Sequence, residues 1–388
     1  MKLVNVDSWV VALPSRRVHL WATSGLRGAV GQRYVVVRLH TDEGLIGWGE
    51  AAALPEWGGG HMRYYGETPE TVRHIIQEVL FPAVCDEDPL AINRVHRRMD
   101  KAVKGHPYAK AAIDMALHDI KGRALNVPVY ELLGGRYREW VPIGHSIGLM
   151  DVAPAVEEAK QVVAEGITTI KLKVGADPAR DVEVVRQVRD AVGPEVRLRV
   201  DGNQGYTVPV AVETINRMER YGIWFAEQPV EDIEEMMEVA RQVRTPLMAD
   251  ESVWTPQDVL RLRQARMIPF ISLYVAKAGG LYRAWQVATV AQAAGLACDV
   301  GGSAEFGIGN AANLHLAAAC PAVTVPCVIP NTTVGGQEQT EVAGRFYTDD
   351  LITEPFPYQD GMLRVPDGPG LGIEVDEDKL GRYREQEA

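Results

Sequence analysis

The chain has 388 residues, 46% of them apolar, which is enough for one large domain and a smaller one. Its formal charge of −12, with a pI near 5.3 and no run of Lys and Arg, argues against nucleic acid or an anionic membrane as partner. No stretch is apolar for long enough to read as a signal peptide or a bilayer span, and Cys85, Cys298, Cys320 and Cys327 show no CxxC spacing, so a cytoplasmic protein with buried reduced thiols is expected.

In chain order, residues 1 to about 60 alternate strand-like runs with turns. YVVVRLHTDEGLIGWGEA reads as a hairpin turning at Asp42-Glu43-Gly44, and residues 68 to 125 read as helical, with Ala112, Met115, Ala116 and Ile120 at helical spacing. From about 140 the rhythm changes. Short apolar strands are expected at VPIGHSI, TTIKLKV, VRLRVD, IWFAEQP, TPLMADE, FISLY, LACDVGG and AVTVPCV, mostly with charged, periodic helices between them. Seven or eight βα units at roughly 25-residue spacing predict an α/β fold, a (β/α)8-type barrel over 131–335. An N-terminal α+β capping domain is expected over 1–130, and a segment over 336–388 that packs back on it.

In such a barrel, chemistry collects where strands end. Three successive predicted strands end in an acid, Asp201 in RVDGN, Glu227 in FAEQP and Asp250 in MADES, separated by 26 and 23 residues, one βα unit each. Three carboxylates converging at one rim need a cation, and all-oxygen ligation suits Mg²⁺ or Mn²⁺. Singly each acid would read as a helix cap or a solvated loop residue; in register they read as a site. On the preceding strand Lys171 and Lys173 stand two residues apart, so both side chains point to the barrel interior. Two ammonium groups so close are expected to depress each other's pKa and leave one of them a usable base. A metal beside a neutral lysine suits deprotonation next to a carboxylate, through a metal-stabilised enediolate.

KLK, VDGN, AEQP and ADES together resemble the enolase superfamily, in particular its muconate-lactonizing and mandelate-racemase branches, the first favoured. YAKAAIDMALHDIKGRALNVPVYELLGG is similar to that family's capping-domain helix and exit, and GMLRVPDGPGLGIEVDEDKL to its closing segment. The resemblance implies Asp201, Glu227 and Asp250 as Mg²⁺ ligands, Lys173 as base with Lys171 beside it contacting the substrate carboxylate, and Asn203 and Glu251 behind the ligands. It also implies substrate choice by two loops. These are residues 15–32, with Trp21 and Arg27, and residues 55–65, with Trp57, His61 and Arg63. Relatives commonly assemble, so a homo-oligomer is expected, with a small-molecule carboxylate as substrate.

Two departures narrow the chemistry. Where the lactonizing branch has a second lysine, five residues before a Gly-Gly pair, this chain has Tyr274; Lys277 lies on the following turn. The seventh strand ends DVGGSAEF without the histidine of the racemase branch. Glu305 stands where lactonizing relatives carry an acid, and reads equally as a carboxylate at a helix N-terminus. An ordinary tyrosine is a poor base and a fair proton donor, so Tyr274 favours a cycloisomerase or a dehydratase over a racemase or epimerase. His145 reads as a satisfied core histidine. Two other readings compete: a phosphate-binding barrel enzyme, suggested by Gly301-Gly302 and the helix that opens near Gly307, and a catalytically silent metal-binding relative, suggested by the missing second lysine.

Overall fold

The computed structural model describes residues 1–24, 32–61, 63–263 and 268–385. β1 (Leu3–Ala12), β2 (Arg33–Thr41) and β3 (Ile46–Ala51) form an antiparallel meander, and Gly44 at φ 82° makes the expected turn between β2 and β3. The expected helical stretch breaks into pieces that end near 84, 102 and 125, interrupted by turns at 85–91 and 103–106. Its last piece, helix Pro107–Leu125, lies against β3 and is buried over most of its circumference, so its apolar residues are not confined to one stripe. Close approach depends on glycine: a Cβ at Gly49 would collide with the Ala112 carbonyl.

VPIGHSI does not form one strand. β4 (Trp140–Pro142) turns away to pair with the C-terminal hairpin. The barrel sheet begins at β5 (His145–Ile147) and continues through β6 (Thr169–Lys173), β7 (Arg197–Asp201), β8 (Ile223–Glu227), β9 (Leu247–Ala249), β10 (Phe270–Leu273) and β11 (Ala297–Val300), all parallel and in sequential order. Helices such as Pro178–Val192 and Leu281–Ala293 cover its outside. AVTVPCV is not a regular strand either, since Pro321 and Pro326 lack the N–H a ladder needs. It closes the circle through single bridges, Cys298 with Val323 and Ile143 with Cys327.

β12 (Tyr358–Gln359) and β13 (Met362–Arg364) complete the small sheet with β4. The last described residues return to the meander, where Val11 bridges Arg384 and Glu385 N donates to Val10 O at 2.8 Å. Cys298, Cys320 and Cys327 are buried free thiols; Cys85 is free but exposed, against expectation. No helix among the described residues is long and apolar enough to cross a membrane.

Candidate active site

Strand register assembles the site. Lys173, Asp201 and Glu227 are lateral neighbours across β6, β7 and β8, and Asp250 follows the end of β9. Lys171 Nζ donates to Glu227 Oε1 at 2.7 Å and lies 2.8 Å from Asp201 Oδ2. Lys173 Nζ donates to Asp201 Oδ2 at 2.7 Å and to Asn203 Oδ1 at 2.6 Å. Lys277 Nζ reaches Asp250 Oδ1 at 2.5 Å and its carbonyl at 2.8 Å. Asn203 links the two halves, since its Nδ2 donates to Glu251 Oε1 at 2.9 Å. Below this polar layer Phe225, Met248 and Val325 fill the barrel floor.

The three acids therefore share one end of the barrel but do not meet directly. Among the described residues, no three His, Cys, Asp or Glu side chains stand close enough as they are to chelate an ion. Like charges repel in a buried site, and lysine ammoniums have moved in between them. The set nevertheless fits a divalent cation. All donors are carboxylate oxygens, and Glu227 Oε2 and Asp250 Oδ2 are buried without a hydrogen-bond partner.

The expected depression does not hold for Lys171. Burial pulls the Lys171 ammonium down, but Asp201 and Glu227 outweigh it and hold its pKa above the ordinary lysine value. Burial pushes the Asp201 carboxyl up, and Lys171 and Lys173 more than reverse this. Burial, with Asp201 adding to it, lifts Glu227 to about 7, and burial beside Asp250 lifts Glu251 to about 8.

A cleft enclosing about 600 Å³, part of it open to solvent, lies over this end of the barrel. Lys171, Lys173 and Asn203 contribute from the barrel, Trp21 and Trp57 from the cap side, and Tyr274 from the end of β10. Tyr274 stacks on Trp57 with ring centres 5.4 Å apart. Burial and the nearby acids, Asp250 first, raise this phenol well above its ordinary pKa, so it stays protonated. Lys277 does not line the cleft; its ammonium sits 4.7 Å from the Tyr274 ring centre, turned to Asp250. Trp57 Nε1 donates to Glu251 Oε1 at 3.2 Å.

Other expected residues fall elsewhere. His61 is exposed and faces Glu231 at 3.3 Å, outside the cleft, because the chain turns there at φ 49°. Arg63 pairs with Asp258 at 3.1 Å. Arg27 lies outside the described residues. Glu305 is buried behind Gly302, accepts from Ser303 N at 3.0 Å, and is raised by burial to about 7. It does not cap helix Gly307–Ala319, whose first N–H groups bond Glu50 (from Phe306 and Gly309, both 2.8 Å) and Asp350 (from Gly307, 2.9 Å). Those carboxylates fill the place a phosphate would take, so the phosphate-binding reading is corrected. Gly301 is needed for another reason: a Cβ there would strike the Tyr274 ring. His145 is satisfied, accepting from Gly344 N at 3.0 Å and pairing with Glu158 at 2.7 Å. His19 and Gln32 line the cleft from within the expected loop 15–32 without having been singled out, and Ser146 and Phe346 line it from segments the sequence reading did not assign to the site.

A capped α/β barrel whose strand-end cleft is lined by two lysines and a tyrosine, the lysines paired with carboxylates behind them, fits an enzyme of the enolase superfamily. The family models show it to be one. Residues 11–134 match the N-terminal domain model of mandelate racemase and muconate lactonizing enzyme, and residues 154–379 match the enolase C-terminal domain-like model. The chain belongs to the mandelate racemase/muconate lactonizing enzyme family. It is 32% identical to an N-succinyl-L-Arg/Lys racemase of Bacillus cereus, over 98% of this chain and 97% of that one. It is 33% identical to muconate cycloisomerase 1 of Rhodococcus opacus, over 98% of both. The crystal structure of 2-chloromuconate cycloisomerase from Rhodococcus opacus 1CP superposes with a TM-score of 0.90 at 31% identity, covering 100% of both chains.

Proposed function

We propose that this enzyme moves the proton α to a substrate carboxylate with a single base, Lys173, in a ring closure of the cycloisomerase kind or a syn elimination of the dehydratase kind. The observation that carries this reading is the placing of Lys173 Nζ, between Asp201 and Asn203, in the same cleft as a protonated Tyr274. A divalent cation, Mg²⁺ or Mn²⁺, held by Asp201, Glu227 and Asp250, would supply the positive charge that draws in the carboxylate and acidifies its α-hydrogen. Lys173 takes the α-proton on Nζ in an elimination, and as the ammonium delivers a proton to the α-carbon in a ring closure. Lys171, held charged by Asp201 and Glu227, attracts the substrate carboxylate. In a syn elimination the group departs on the same face and is protonated from Lys173, and in either reaction Tyr274 walls off the opposite face. Trp57, stacked on it, excludes water from that face.

Racemisation is the second reading, favoured by the 32% identity to the Bacillus cereus racemase. It needs a base on each face, and a phenol raised above its ordinary pKa serves poorly as one.

The test is proton NMR in D₂O with MgCl₂ over muconates, N-succinyl amino acids and hydroxy acids bearing an α-hydrogen, with Lys173→Ala as the blank. Product without exchange into both epimers is expected. Deuterium entering both epimers would put the racemase reading first.

A further inference from the structure

Gln32, just before β2, lines the cleft between two buried tyrosines. Its side-chain amide is within hydrogen-bond reach of Tyr34 Oη and, at 2.9 Å, of Tyr347 Oη. Each phenol also meets a main-chain carbonyl of the cleft wall, Tyr34 that of Ser303 and Tyr347 that of Ala304, the latter at 2.6 Å. Neither carbonyl has another hydrogen-bond partner among the described residues.

A phenol has one proton, and a carbonyl can only accept. Burial holds both phenols protonated. If those protons went to Gln32, two pairs of oxygens would face one another with no hydrogen between them, which a buried site does not tolerate. The protons therefore go to Ser303 and Ala304, and lone pairs are left on each phenol. The two phenols also stand within hydrogen-bond reach of each other, but two O–H protons cannot serve all these contacts. An amide nitrogen facing the tyrosines adds two N–H groups where an amide oxygen adds none. The identity of amide oxygen and nitrogen follows from such bookkeeping and not from shape. The nitrogen then faces the tyrosines and the oxygen faces outward. The outward atom has no hydrogen-bond partner among the described residues, and Gln32 lines the cleft.

We infer that Gln32, clamped by Tyr34 and Tyr347, presents a fixed acceptor to the cleft and selects substrates that carry a hydrogen-bond donor, a hydroxyl or an N–H, on the part that meets the cap. Only the identity of the ligand rests on the carboxylate chemistry proposed above; the orientation of the amide does not.

Neutron diffraction from deuterium-exchanged crystals of the enzyme should show both Gln32 amide deuterons on the phenol oxygens and the phenolic deuterons on the Ser303 and Ala304 carbonyls. Phenolic deuterons aimed at Gln32 would overturn the assignment. Calorimetry with MgCl₂ then compares carboxylates in pairs that differ only as a distal hydroxyl and its methyl ether, which accepts but cannot donate. The hydroxyl member should bind about tenfold more tightly, and Gln32→Met should erase the difference. Equal affinities in the wild-type enzyme, or a preference that survives Gln32→Met, would overturn the selection. Failure of every carboxylate to bind would defeat the proposed function, while the diffraction result would still decide how Gln32 is oriented.

Discussion

Lys173 and Tyr274 face one cleft, yet they are held in different ways. The ammonium has two hydrogen-bond partners, whereas the phenol ring is held by packing, stacked on Trp57 and beside the Lys277 ammonium. Lys173→Ala should lower turnover by about 10²–10⁴-fold with the fold retained, as followed by NMR of product and by circular dichroism. Turnover at the wild-type rate would remove Lys173 as base. Tyr274→Phe keeps the ring against Trp57 and loses only the hydroxyl. A large fall in kcat with KM nearly unchanged is expected, and unaltered kinetics would transfer the second role to Lys277 or to no residue. Asp250→Asn should weaken Mg²⁺ binding measured by calorimetry without unfolding the chain. Unchanged affinity would contradict its place as a ligand. These residues could be read from the sequence because period-two spacing and βα repeats are local properties. Gln32 could not, because its partner Tyr347 lies about 300 residues away and no pattern near position 32 signals it.

At the level of elements, the turn after β10 ties the cap to the site. Gly280 has φ 112°, and a Cβ there would run into the side chain of Asp114 on helix Pro107–Leu125. Asp114 in turn accepts from His96 Nε2 at 2.6 Å. The same turn carries Tyr274 and Lys277, so the helix face of the cap sets their approach. Gly280→Ala combines a disfavoured backbone with overpacking, and should destabilise the fold by about 2–4 kcal/mol in urea unfolding. A change under 0.5 kcal/mol would mean that the turn yields freely. The alternation of strands and helices was legible, but VPIGHSI and AVTVPCV were not correctly read. Both are apolar and strand-like in composition, and whether a neighbour's ladder is free to receive them is a tertiary matter.

Across the whole molecule, cap, barrel and C-terminal segment meet at the start of helix Gly307–Ala319, where Glu50 and Asp350 bond its free N–H groups. Burial lifts Asp350 from 3.8 to about 6, partly offset by the N–H groups of Gly307 and Leu351. A carboxyl whose folded pKa is raised adds stability below its ordinary value and loses it as pH rises through the folded one. Wild-type stability relative to Asp350→Asn should therefore fall between about pH 4 and pH 6, by on the order of 3 kcal/mol at most. Urea midpoints of the two proteins measured across that window test this, and a pH-independent difference would show that Asp350 does not titrate there.

The sequence alone determined the barrel, the order of its strands and the residues that end them, because strand period, helix period and βα spacing are set by neighbours along the chain. It determined for the same reason that Lys171 and Lys173 point inward beside three acids. The tertiary structure decided what those charges do to one another: Lys171 is held charged between Asp201 and Glu227, and Lys277 is drawn to Asp250 and away from the cleft. It also decided which carboxylates cap the last barrel helix and which cap-side groups enclose the cleft. Burial and pairing depend on groups brought together from distant parts of the chain, and only the folded arrangement puts them within a few ångströms of each other.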